Sequence, residues 1–278
     1  MPEKSSPGKG KISDKSLGRL VSMKKRIYLT GFMLCAALFV VSLYQVIHDI
    51  ASARNAEQAF AHLAEVVEVA GEPGGKMPKR ENPQRGNQSP LEQYQKLFQQ
   101  NNELAGWVSI EGTNINYPVM YTPEKPDFYL KHNFEKAYSA YGVPYIAEHC
   151  SPFEPSDNIL IYGHQMKNGT MFSGLLEYED KSFYEKHKTV RFDTLAEQAE
   201  YEVIAAFKTT VYDGAGFPFY LFANAETEKA FQDYVDKCKS LSLYDTAATA
   251  QCGDKLVTLS TCEYSRKNGR FVVVAKKK

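Results

Sequence analysis

Five cysteines and six histidines are the side chains of this 278-residue chain best suited to nucleophilic chemistry. Cys262 closes the run Lys255-Leu-Val-Thr-Leu-Ser-Thr-Cys262, which alternates like a strand. Residues 263–269 then read as a loop, and Arg270 opens the closing strand. A thiol at a strand end beside a hairpin is partly exposed while its backbone is rigidly held. A guanidinium across the hairpin mouth could stabilise a thiolate or an oxyanion. Arg266 competes for that place, but the spacing and the Phe-Val-Val-Val strand that follows favour Arg270. Position alone leaves a second reading open, a buried barrel cysteine with a surface arginine.

The other thiols have plainer explanations. Cys35 lies in an apolar span, Cys238 on the apolar side of a helix, and Cys252 in a turn before a strand. Cys150 follows His149, but no second His or Cys pair at ligand spacing accompanies it, so no metal site is expected. Among the histidines, His48, His62 and His187 sit in polar or charged surroundings, and His132 and His149 lack context. His164 has it. An apolar run over 158–162 ends at Gly163 and delivers the imidazole into the loop beyond. A cysteine and a histidine, each just past a strand end, form a candidate nucleophile–base pair.

The elements that must position them follow from periodicity. A helix is expected after Pro90, with Leu91, Tyr94, Leu97, Phe98 and Leu104 on one face and Gly106 closing it. Strands are expected at 107–110, 115–119, 143–147, 158–162, 190–192, 201–208, 256–261 and 271–275. One further helix is expected at 226–241, where Ala230, Phe231, Tyr234, Val235, Cys238 and Leu241 keep helical spacing. Eight short strands with few helices argue for a mostly β chain, a barrel or sandwich carrying helical insertions.

Charge is segregated although the total is zero. Residues 1–26 carry +6, residues 27–47 carry none, and residues 48–278 carry −6. A body of that sign has no general attraction for nucleic acid, so nucleic acid is excluded as a partner. The 21 residues 27–47 are almost wholly apolar and long enough to cross the roughly 30 Å core of a bilayer. Bases crowd the N-terminal side, so the N-terminus is expected in the cytoplasm and everything beyond residue 50 outside. Ala51-Ser52-Ala53 resembles a signal-peptidase site, but secretory apolar regions are only about 7–15 residues, which favours an uncleaved anchor. Residues 71–90 hold four Gly and four Pro and read as a linker. The expected organisation is a basic cytoplasmic tail (1–26), a transmembrane signal-anchor (27–48), a juxtamembrane helix with linker (49–90) and an extracellular domain (91–278).

Thr258-Leu259-Ser260-Thr261-Cys262, an Arg eight residues on, and Tyr162-Gly163-His164-x-Met166 upstream resemble a sortase, specifically class B. The N-terminal helix and the helical insertion before the Cys strand support the class. So does the absence of a C-terminal apolar span, which class C members more often carry. The resemblance covers about 91–275. It implies an eight-stranded sortase-type β-barrel with an N-terminal helix, the helical insertion and a single N-terminal transmembrane helix. It further implies a membrane-anchored cysteine transpeptidase with Cys262 as nucleophile, His164 as general acid/base and Arg270 as the donor that positions substrate and oxyanion. Tyr162, Ser260, Thr261, Glu263 and Leu130 are implied as groove-lining, substrate-binding residues. No cofactor and no metal is implied.

The implied partners are surface proteins with an Asn-Pro-x-Thr-x or Ser/Pro-Pro-x-Thr-Gly sorting signal, cleaved after Thr, and a peptidoglycan or lipid II amine. The membrane is the remaining partner. Two other readings stand beside this one. A secreted cysteine peptidase would use the same Cys–His pair but pass the acyl group to water. A non-catalytic anchored β-barrel would bind a wall ligand and keep its function without Cys262.

Overall fold

The computed structural model describes residues 14–70, 91–154, 156–211, 214 and 216–278. The expected linker 71–90 and the first half of the basic tail lie outside them. The chain divides into two compact units, Met1–Arg54 and Asn55–Lys278, the division falling inside the helix α1 (Asp14–Ala70). Within the first unit the apolar residues around 28–47 are exposed side chains on helix. The segment Tyr28–Glu68 contains a window of mean hydropathy 2.0, none of it buried, that is long and apolar enough to cross a membrane.

In the second unit eight strands close into a barrel. They are β1 (Leu104–Ser109), β2 (Asn116–Met120), β3 (Tyr145–Ile146), β4 (Asn158–Tyr162), β5 (Thr189–Thr194), β6 (Glu200–Thr210), β7 (Leu256–Glu263) and β8 (Gly269–Lys277). Their order around the barrel is β1-β2-β3-β4-β7-β8-β6-β5. All pairs are antiparallel except β2–β3 and β4–β7. Every expected strand is present, with ends shifted by a few residues.

Three further helices dress the barrel: α2 (Glu92–Gln100), α3 (Lys181–Lys186) and α4 (Glu228–Leu241). Tyr94, Leu97 and Phe98 form the buried face of α2. In α4, Thr227 caps the first turn by accepting from the Ala230 N–H, and Phe231, Tyr234, Val235 and Cys238 are buried. Short 3₁₀ helices occupy Phe128–Leu130, Phe172–Glu179 and Phe219–Leu221. Residues 55–70 of α1 belong to the barrel's own unit, where Phe60, Leu63 and Val66 are buried. The Phe60 ring stands edge-on to Tyr117 of β2 at 5.0 Å.

One expectation is corrected. α2 does not run to Gly106 but stops at Gln100, and Leu104 and Gly106 belong to β1. Asn101 turns the chain out of the helix: its Oδ1 accepts from the Glu103 N–H, and its Nδ2 donates to Tyr129 Oη and the Phe134 carbonyl. Gly106 is required by strand pairing instead of helix termination, since a Cβ there would stand 2.1 Å from the Asp193 carbonyl oxygen on β5. Gly106→Ala is therefore expected to separate β1 from β5 and cost about 3 kcal/mol of stability, read as a lowered denaturation midpoint.

Candidate active site

Three strands meet at one end of the barrel. β4 and β7 run parallel, with Tyr162 beside Ser260, and β7 pairs antiparallel with β8, with Cys262 directly opposite Arg270. His164 and Cys262 each stand two residues past the Tyr162–Ser260 pair. The ladder contacts continue to the residue before the histidine: Gly163 N–H donates to the Ser260 carbonyl, and Thr261 Oγ1 donates to the Gly163 carbonyl. Gly163 has no room for a side chain, because a Cβ would lie 2.5 Å from the Phe172 ring.

Opposed residues share a face of a sheet, and so do residues two apart along a strand. Tyr162, Ser260, Cys262 and Arg270 therefore line one face. Cys262 and Arg270 are half-buried, whereas Ser260 is buried and its Oγ lacks a partner among the described residues. Such a hydroxyl is costly unless something meets it. Thr261 and Glu263 fall on the opposite face and are satisfied within the protein. Glu263 accepts from the Ser265 N–H at 2.9 Å and Ser265 Oγ at 2.6 Å, with Lys208 Nζ 3.8 Å away. Burial pushes its carboxyl up, but the two Ser265 hydrogen bonds and the Lys208 and Arg266 charges outweigh it, so the net movement is downward. The structure thus brings four of the expected residues to one face and turns two away.

Leu130 enters through its backbone. Its carbonyl lies 2.6 Å from His164 Nε2. A carbonyl only accepts, so Nε2 carries the proton, and in the neutral ring Nδ1 is left to take one up. The 3₁₀ turn that supplies this carbonyl is itself pinned. Tyr145 Oη donates to Asp127 at 2.6 Å, and Tyr129 Oη to Glu103 at 2.6 Å. The His132 ring stacks on Phe128 with centroids 3.9 Å apart.

Tyr264 escaped the sequence reading. It is 72% exposed at the start of the β7–β8 turn, with its hydroxyl in the neighbourhood of the Cys262 thiol and the Arg270 guanidinium. Partial burial raises its phenol and the neighbouring thiol adds to this, while Arg270 opposes it. Its only signal in the sequence was an aromatic residue immediately after Cys-Glu.

All five cysteines are free. Burial pushes the Cys150 thiol up to about 11 and the Cys238 thiol up to about 12, whereas Cys252 is exposed and Cys262 half-buried. Among the described residues no group of three or more His, Cys, Asp or Glu could hold a metal.

The closed eight-stranded barrel thus sets a half-buried cysteine opposite an arginine, with a histidine at the end of the neighbouring strand. Residues 108–278 match the family model described as a sortase domain. Sortase B of Staphylococcus aureus (strain NCTC 8325 / PS 47) is 33% identical over 186 residues, covering 66% of this chain and 74% of the relative. Sortase B of Listeria monocytogenes serovar 1/2a is 32% identical over 189 residues, covering 67% and 73%. Among solved structures, a Staphylococcus aureus sortase B–substrate complex superposes with a TM-score of 0.69 at 27% identity, covering 82% of this chain and 98% of that one. The chain belongs to the sortase family and is a class B member. It is a cysteine transpeptidase of the kind that anchors surface proteins.

Two outcomes follow from the site's local chemistry. Brief alkylation of the native chain near pH 8 should modify Cys252 and Cys262 and spare Cys150 and Cys238 until unfolding, as read by peptide mass mapping. Early modification of Cys238 would contradict its burial. For Glu263, a carboxyl held below its ordinary value stabilises the fold above the unfolded value and ceases to do so as pH falls through the folded one. Glu263→Gln should lower Tm at pH 7 by about 2–4 °C, and the gap should close as pH drops below about 4.3.

Proposed function

We propose that Cys262, His164 and Arg270 carry the transpeptidation, and that the cross-strand pairing of Cys262 with Arg270 beside the His164 strand end is the observation that carries this reading. His164 Nδ1 takes the Cys262 thiol proton, and the thiolate attacks the carbonyl after Thr in a sorting pentapeptide. The oxygen gains negative charge as the C–S bond forms, and the Arg270 guanidinium donates to it. The imidazolium, its Nε2–H still held on the Leu130 carbonyl, passes the Nδ1 proton to the departing amine, and a thioester remains. An incoming amine attacks the thioester and gives its proton to Nδ1, and collapse of the adduct forms the new amide and frees the thiolate. A thiol suits this two-step path because it is nucleophilic at neutral pH and its ester stays reactive toward amines.

The substrate is a surface protein bearing a sorting signal, with Asn-Pro-x-Thr-x as the first candidate and Ser/Pro-Pro-x-Thr-Gly as the next. Tyr162 lines its path on the Cys262 face with Ser260 buried beside it, and the Leu130 segment forms a wall; Thr261 ties the Gly163 carbonyl and Glu263 braces Ser265 in the β7–β8 turn. The acceptor is an amine of peptidoglycan or lipid II. The apolar segment within Tyr28–Glu68 anchors the enzyme, with the basic N-terminal residues in the cytoplasm, the linker at 71–90 and the catalytic residues outside.

The full chain in detergent, incubated with a panel of sorting peptides, should gain the mass of the peptide up to Thr. Cys262→Ala should abolish the adduct with Tm unchanged. His164→Ala should slow its formation about 10²–10⁴-fold and Arg270→Lys about 10²–10³-fold. An added amine should discharge the adduct into a ligated peptide. Cleavage that persists in Cys262→Ala would refute the assignment.

A further inference from the structure

Beside the His164 loop lies a cavity of about 350 Å³, formed wholly within the barrel's own unit. Its floor and one wall are aromatic, made by Tyr117 of β2, Phe60 of α1 set edge-on to it, and Tyr141. Ala56, Ala61 and Ala64 of α1 line it beside Phe60 with small side chains that leave the space open. The polar part is built from neutral side chains. Asn114 lies in the β1–β2 turn and Asn116 opens β2, while Asn168 and Thr170 come from the loop that follows His164.

Several of these groups are already oriented by the protein. Asn116 Oδ1 accepts from Trp107 Nε1 at 2.6 Å, Asn114 Nδ2 donates to the Gly169 carbonyl, and Asn168 Oδ1 accepts from Thr170 N and Oγ1. What remains without a partner among the described residues is Nδ2 of Asn116 and of Asn168, and Oδ1 of Asn114. These exposed amides thus present two donors and an acceptor beside aromatic surfaces. No Lys or Arg lines the cavity, and its one charged residue is Glu57, so phosphate and carboxylate ligands are disfavoured. The volume falls in the range of small-ligand sites and leaves room for about one or two sugar rings.

The strand registers place this cavity at the catalytic end of the barrel. Tyr145 of β3 pairs with Tyr162 of β4, and Met120 of β2 pairs with Tyr145. β2 runs parallel to β3, so its first residue, Asn116, projects about 13 Å past the Tyr162 level on the side where His164 and Cys262 stand. The Met171 N–H donates to Tyr117 Oη, which ties the His164 loop to the cavity's aromatic floor.

We infer that this cavity binds an N-acetylhexosamine unit of a glycan, whose acetamido group offers one donor and one acceptor and whose C–H faces pack on aromatic rings. The inference rests on the proposed cell-wall acceptor for the source of the sugar: the acceptor amine would arrive attached to a glycan, and the cavity would hold that glycan while the amine reaches the thioester.

The probe is N,N′-diacetylchitobiose, added to the full chain in detergent and read by saturation-transfer NMR. Transfer to the acetamido methyl protons is expected, saturating with a dissociation constant in the millimolar range. Ala61→Phe, which fills the cavity, should remove the signal. Asn168→Ala, which takes away one donor and leaves the space open, should weaken binding about 3–10-fold. A cooperative thermal transition confirms that each variant is folded. No transfer in the unmodified chain, an undiminished signal in both variants, or an equal response to maltose would overturn the inference. Thioester formation on a sorting peptide is measured by mass on the same preparations. A missing sugar signal with thioester formed sinks this inference alone, whereas sugar binding without any thioester sinks the catalytic assignment alone.

Discussion

The parallel pairing of β4 with β7 is the constraint on which the site depends. These strands lie nearly a hundred residues apart, and no turn sets their register. A slip of one residue would carry Cys262 and Ser260 together to the other face and remove both from Tyr162. Side-chain ties oppose that slip at both ends. Thr258 Oγ1 donates to Asn158 Oδ1 at 2.7 Å within the buried part of the pair, and Thr261 Oγ1 holds the Gly163 carbonyl at 2.8 Å beside the histidine. The Thr258 tie is shielded from water, so losing it leaves a buried polar group unpaired. The residues between the chemistry therefore hold register, and this explains why Thr261 faces away from Cys262 yet matters to it.

The second constraint comes from outside the β4–β7–β8 trio. His164 leaves the sheet after Gly163, and the ladder no longer orients its ring. The Leu130 carbonyl does this instead, and it sits in a short turn that has little intrinsic persistence. That turn is held by tyrosines as well as by its own backbone hydrogen bonds, such as Leu130 N–H to the Asp127 carbonyl. Tyr145 and Tyr129 each donate to a carboxylate, and in both phenols burial is the largest upward influence, followed by the hydrogen bond to the acid. These phenols stay protonated, and their donor role is secure across the working pH range. A chain of neutral and charged hydrogen bonds thus runs from α2's end at Asn101, through Tyr129 and the Leu130 segment, to the imidazole.

How much of this was legible in the sequence depended on whether the signal lay in side-chain pattern or in backbone. The strands were legible because β-branched and aromatic runs punctuated by Gly and Asn are local signals. Cys262, His164 and Arg270 stood out because each sits at the end of such a run. Gly106 misled because a glycine after an amphipathic stretch marks helix ends as readily as close strand approach. Only the Asp193 carbonyl, 87 residues on, decides between them. The Leu130 role could not be read at all from residue type, since any residue carries a carbonyl. Tyr264 was equally hidden, because a turn tyrosine reads as surface until the hairpin brings it over the sulfur. Strict alternation along β7, by contrast, already separated Ser260 from Thr261 and Glu263, and the resemblance to a family blurred a distinction that strand geometry makes.

The same geometry accounts for one thiol being usable among the four in the barrel's own unit. Cys150 and Cys238 are sealed in the core, where low polarity disfavours the anion and raises both thiols. Cys252 is exposed on the turn that precedes β7, outside the strand pair that carries Arg270. Among them Cys262 combines partial exposure with a rigid strand, a guanidinium opposite, a phenol in its neighbourhood and an imidazole one strand away. None of these neighbours comes from the same local segment except Tyr264. The thiol's reactivity is therefore a property of barrel closure: disrupting the β4–β7 register would leave the cysteine just as exposed and strip it of its chemistry.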